Sequence, residues 1–120
     1  MKRARFIVSK AGYILEYENG AISQINGLWF GFHKKERYKP RGSSKYTIWY
    51  ATELTTGMKI NDDDGFLTRS EAVDYCRRMT NKIVEAINSG KPHITKIKEM
   101  VEDKYRKDDQ EMVKRLYGGV

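Results

Sequence analysis

The chemistry of this chain is densest between positions 34 and 45. Lys34, Lys35, Arg37, Lys39, Arg41 and Lys45 supply six cations, Glu36 is the one acid, and Tyr38 is the one aromatic. Cations at this density neutralise phosphates, and a ring set among them can stack on a nucleic-acid base. Pro40, Gly42, Ser43 and Ser44 mark the stretch as an exposed loop. The alternative is a solvated hairpin tip whose lysines only keep the chain soluble. Arg3 and Arg5, in Met1-Lys2-Arg3-Ala4-Arg5, form a second short basic arm.

Other reactive residue types do not assemble into a site. His33 and His93 are far apart in sequence and have no cysteine or helical partner, so no metal site is expected. No serine has a nucleophile-elbow setting, and no glycine loop has phosphate-binding spacing. Cys76 falls on an apolar helical stripe and reads as a small core residue. Asn61-Asp62-Asp63-Asp64-Gly65 invites a calcium reading, with Gly65 as the sixth position of an EF-hand loop and Glu71 as the twelfth. Its first position would then be Ile60, which has no side-chain oxygen, and a strand would enter the loop. The acidic run reads instead as the turn that ends the last strand. No catalytic residue, metal or cofactor is expected.

Charge and composition agree with a binding role. The 120 residues carry a formal charge of +7 and a pI near 9.5. Residues 1–50 hold ten Lys/Arg against three Asp/Glu, whereas residues 51–90 hold five against seven. A cationic excess confined to one part of a chain is the electrostatic footprint of a polyanion partner. A single cysteine, no membrane-length apolar run and no signal-peptide pattern make a soluble cytoplasmic protein the expectation. The length suits one domain with a core of its own.

These residues need a frame, and the joint at Gly65-Phe66-Leu67-Thr68-Arg69-Ser70-Glu71-Ala72 organises it. Thr68 and Glu71 have capping-box spacing, so a helix should begin here. Before the joint the chain reads as an antiparallel meander: Arg5–Ser9, Tyr13–Tyr17, Ala21–Ile25, Leu28–Phe32, Tyr46–Thr52 and Met58–Ile60. Hairpin turns are expected at both Asn19-Gly20 and Asn26-Gly27. After it, Ala72, Val73, Cys76, Met79, Ile83, Val84 and Ile87 form the stripe of one core helix over 68–89. It should end at Asn88-Ser89-Gly90, ahead of Pro92. A C-terminal helical segment covers 92–117, with an apolar gap at Arg106–Glu111 that implies either a projecting helix or a break. The expected fold is α+β: about five or six short antiparallel strands over residues 1–61, then two or three helices. Both faces of the central strands are apolar, so the second face requires either the C-terminal helix or a partner.

Thr56-Gly57, a polar stretch and then Gly65-Phe66-Leu67-Thr68-Arg69-Ser70-Glu71-Ala72 resemble the N-terminal arm-binding (AP2-like) domain of phage and transposon tyrosine integrases. They are also similar to small phage-encoded proteins on the same plan. The resemblance covers roughly residues 46–78. It implies a three-stranded sheet that enters the DNA major groove with a helix behind it. In this sequence Met58-Lys59-Ile60 and three aspartates occupy the stretch that the family fills with cations, which shifts phosphate contact to residues 34–45.

The expectation is a non-enzymatic nucleic-acid-binding module of phage or mobile-element type, DNA favoured, using Arg3, Arg5, Lys34, Lys35, Arg37, Tyr38, Lys39, Arg41 and Lys45. The alternative is an inhibitor or accessory factor, of anti-defence or anti-CRISPR type, that binds a host protein through its sheet face or C-terminal helix. A homodimer through that helix is a further option. No membrane partner is expected.

Overall fold

A computed structural model describes every residue except Pro40, Ser43, Asp62, Asp63, Gly119 and Val120. Five strands form one antiparallel sheet in sequence order: β1 (Lys2–Lys10), β2 (Ile14–Ile25), β3 (Leu28–Tyr38), β4 (Lys45–Glu53) and β5 (Met58–Ile60). Four helices follow: α1 (Arg69–Arg78), α2 (Thr80–Ile87), α3 (Pro92–Asp108) and α4 (Gln110–Tyr117). The α+β meander expected from sequence is therefore present, with helices in four pieces.

Two local readings are corrected. Asn26-Gly27 does make a two-residue hairpin, with Ile25 opposite Leu28 and φ of 49° and 86° at the two turn residues. Asn19-Gly20 does not: β2 runs straight through it, with Asn19 opposite Arg5 and Gly20 opposite Ala4. The physical reason is Phe6. A Cβ on Gly31 would lie 2.7 Å from three Phe6 ring atoms, and one on Gly20 would overlap the Phe32 carbonyl oxygen. The glycine pair makes room for a fully buried ring against the sheet backbone, which is a strand use of glycine.

The second correction concerns residues 34–45. Lys34, Lys35, Glu36, Arg37 and Tyr38 belong to β3 and pair with Trp49, Ile48, Thr47, Tyr46 and Lys45 of β4. A two-stranded ribbon replaces most of the expected loop. The connection is confined to residues 39–44, across which the Lys39 amide donates to the Ser44 carbonyl at 3.0 Å. The charged half of the ribbon has little to bury, so composition made it look like loop. Its β-branched and aromatic partners on β4 give it strand character.

The sheet curls until its first strand meets the β4–β5 turn, where the Ser9 amide donates to the Gly57 carbonyl at 2.7 Å. Glu53 stabilises that turn from inside. It is buried, and its carboxylate accepts from the amides and hydroxyls of Thr55 and Thr56 at 2.8–2.9 Å.

Two cores hold the layers together. α1 and α2 contribute Ala72, Cys76 and Ile83 to a cluster with Ile25, Phe30, Phe32, Ala51 and Phe66. α3 and α4 contribute Ile97, Val101, Tyr105, Met112 and Val113 to a second, with Phe6, Ile7, Val8, Ile22 and Leu54. The second sheet region is thus covered from within the chain, and the C-terminal segment packs instead of projecting. Tyr105 also closes the edge of β1, its hydroxyl oxygen accepting from the Ile7 amide at 2.7 Å.

Helix boundaries follow local chemistry. Thr68 is the N-cap of α1, and its hydroxyl accepts from the Glu71 amide at 3.1 Å. Thr68→Ala should therefore lower stability by about 0.5–2 kcal/mol, read as a lower midpoint of urea unfolding. The expected single helix breaks at Met79, where the Thr80 hydroxyl bonds the carbonyls of Cys76 and Arg77. The Asn26 side chain of the hairpin docks at this break, donating to the Thr80 hydroxyl at 3.0 Å. Asp109 divides the C-terminal segment and caps α4 through the Met112 amide. Burial pushes the Cys76 thiol up to about 12, in keeping with a core residue.

His33 is a buried histidine stacked on Tyr50 with ring centroids 5.4 Å apart, and its Nδ1 has no protein hydrogen-bond partner. Burial holds its pKa below the ordinary 6.5, only partly opposed by nearby Glu18. The unfolded chain then takes up a proton near pH 6.5 that the folded chain refuses. Stability from this residue is intact above about pH 6.5 and declines as pH falls below it. Urea midpoints should accordingly drop between about pH 7.5 and pH 5.5, and His33→Gln should flatten that part of the profile.

Candidate nucleic-acid interface

Strand alternation sorts the basic residues, because cross-strand neighbours point to the same side. On one face of the β3–β4 ribbon, Lys34 lies opposite Trp49, Glu36 opposite Thr47, and Tyr38 opposite Lys45. The ammonium of Lys34 sits over the Trp49 ring at 5.7 Å, and that of Lys45 over the Tyr38 ring at 5.4 Å. Arg69 comes to the same ring from the first turn of α1, its guanidinium carbon 5.8 Å from the Trp49 centroid. α1 is placed there by Phe66, whose amide donates to the Trp49 carbonyl at 2.8 Å and whose carbonyl accepts from the Trp49 amide at 2.7 Å. Lys34, Lys45 and Arg69 are exposed, Tyr38 is 64% exposed, and Trp49 is partly so. The one acid on this face, Glu36, lies 3.6 Å from Lys45. Lys39 and Arg41, both exposed, extend the positive charge into the connection at the ribbon tip.

The opposite face is internally engaged. Lys35 lies 3.7 Å from Glu18, and Arg37 donates to the Tyr50 hydroxyl at 2.6 Å. Further along the same side, His33 and Tyr50 are buried, as are Thr52 and Leu54. That buried surface is the side of the sheet that the integrase resemblance would assign to the major groove.

The nine residues singled out from sequence therefore do not form one surface. Lys34, Tyr38 and Lys45 share a face, with Lys39 and Arg41 at its end, whereas Lys35 and Arg37 point the other way. Arg3 is exposed on β1 opposite Ala21. Arg5 belongs to the packing of α3, with its guanidinium 4.2 Å over the Tyr17 ring and reaching the Asp108 carbonyl at 3.5 Å. Tyr17 donates to the Asp108 carboxylate at 2.9 Å, which holds that carboxyl below the usual range. Trp49 and Arg69 were missed as site residues. The signal for Trp49 was its place in the two-residue alternation Lys45–Thr47–Trp49.

No protein-family model, curated protein or solved structure matches this chain.

A cleft of about 830 Å³ between the β1–β2 turn, β5 and the start of α3 is lined by Ser9, Lys10, Tyr13, Lys59, Asp64 and His93, among others. Among the described residues, no three His, Cys, Asp or Glu side chains gather as metal ligands. Asp62 and Asp63 of the acidic turn lie outside the described residues. No helix is long and apolar enough to cross a membrane.

Proposed function

We propose that this protein is a non-enzymatic nucleic-acid-binding module, DNA favoured, whose β3–β4 ribbon is the contact surface. The observation that carries the reading is the arrangement of Lys34, Lys45 and Arg69 around Trp49 and Tyr38 on one ribbon face. Among the described residues of this ribbon face Glu36 is the acid, set against Lys34, Lys45 and the approaching Arg69, so a phosphate backbone gains net attraction. Lys34 and Arg69 lie within 5.8 Å of the Trp49 ring and Lys45 within 5.4 Å of Tyr38, so charge and aromatic surface are presented together. Lys39 and Arg41 extend the contact at the tip.

This differs from the docking that the integrase resemblance implies. Here the ribbon carries the contact edge-on, beyond the part of the sheet sandwiched between helices. Contacts of this kind fix position on a polyanion without reading sequence. Amide chemical-shift mapping with a short oligonucleotide tests the placement. Shifts should cluster at Lys34–Tyr38, Lys45–Trp49 and the start of α1. Shifts confined to α3 and α4 would refute it.

A further inference from the structure

Resting on that reading, we propose that the substrate class is single-stranded nucleic acid, bound by stacking bases on Tyr38 and Trp49. Two aromatics occur on this one ribbon face, at the first and third of three successive cross-strand pairs. Four residues of strand separate those pairs, a distance of about 14 Å. Between the rings lies the polar pair Glu36–Thr47. The face therefore alternates ring, hydrogen-bonding step, ring, with a cation beside each ring.

The chemistry of this pattern distinguishes a strand from a duplex. In a duplex the π-faces of bases are covered by their neighbours, and a protein meets only edges and phosphates. Tyr38, mostly exposed at a ribbon end, would then contribute nothing beyond its hydroxyl. A single strand offers splayed bases to both rings, while Lys34, Lys45 and Arg69 follow its backbone.

The test compares a labelled oligothymidylate with a hairpin duplex of similar length by fluorescence anisotropy, using the full chain at low salt. Three variants are added: Tyr38→Leu, Tyr38→Phe and Trp49→Phe. Tyr38 is exposed, so its substitutions leave the core alone. Tyr38→Leu keeps bulk without a π-face and should weaken oligothymidylate binding about tenfold, with duplex binding barely changed. Tyr38→Phe and Trp49→Phe should keep most of the affinity, because each retains a ring. Duplex binding equal to or tighter than single-strand binding, with Tyr38→Leu without effect, would overturn this inference and leave the broader reading standing. Failure to bind either probe would overturn both.

Discussion

Replacing Lys34, Lys45 and Arg69 together with alanine is expected to weaken nucleic-acid binding on the order of a hundredfold at about 0.1 M salt, and to flatten the salt dependence by roughly two to three logarithmic units. These three cations share one ribbon face, each 5.4–5.8 Å from an aromatic centroid. Each phosphate contact on a duplex contributes about 0.9 to the slope of log K against log salt, so losing three contacts moves the slope by about 2.7. A matched variant with Lys91, Lys107 and Lys114 replaced removes the same charge from exposed positions around α3 and α4. It should keep most of the affinity. If both variants lose affinity alike, attraction comes from net charge and the ribbon is not the site. Unchanged circular dichroism in both would show that neither result reflects unfolding.

Gly20→Ala should be the most destabilising single small substitution in the sheet, at about 3 kcal/mol or more. A Cβ there would overlap the backbone carbonyl of Phe32 and lie 3.1 Å from the Phe6 ring. The obstruction is backbone in a paired strand, so no rotamer change relieves it. A urea unfolding curve checks the magnitude. A loss under about 1 kcal/mol would mean that β2 and β3 separate easily at this point, and that close strand approach is not what requires glycine here.

Gly20 also shows where sequence reasoning ran out. Asn-Gly occurs twice, at 19–20 and 26–27, and both have the same local chemistry. One is a hairpin turn and the other lies inside a twelve-residue strand. The close approach of the Phe32 carbonyl from β3 and the Phe6 ring from β1 distinguishes them, and no local pattern contains either. The joint at Thr68 was legible because a cap is local: its donor and acceptor are three residues apart. The apolar stripe from Ala72 to Ile87 was legible for the same reason, and it placed Cys76 in a core. The break at Met79 was not, since it depends on Thr80 and on Asn26 from a distant hairpin.

The basic segment was half legible. Its charge and its aromatic were plain, but the reading of residues 34–45 as a loop treated all its cations as one cluster. Pairing with β4 sends alternate residues to opposite faces, so Lys35 and Arg37 part from Lys34 and Tyr38. The same pairing brings in Trp49, and the β-bridge from Phe66 brings in Arg69. Strand period is the quantity that decides the site, and a stretch read as loop has none.

The most direct measurement is the affinity of the wild-type chain for labelled single-stranded and duplex oligonucleotides across a range of salt concentrations. With about three to five phosphates neutralised, log K for a duplex should fall against log salt with a slope of about −3 to −4.5, and somewhat less steeply for a single strand. Absence of binding to either at low salt would contradict the account. The sheet and helix surfaces would then have to be tested against a protein partner.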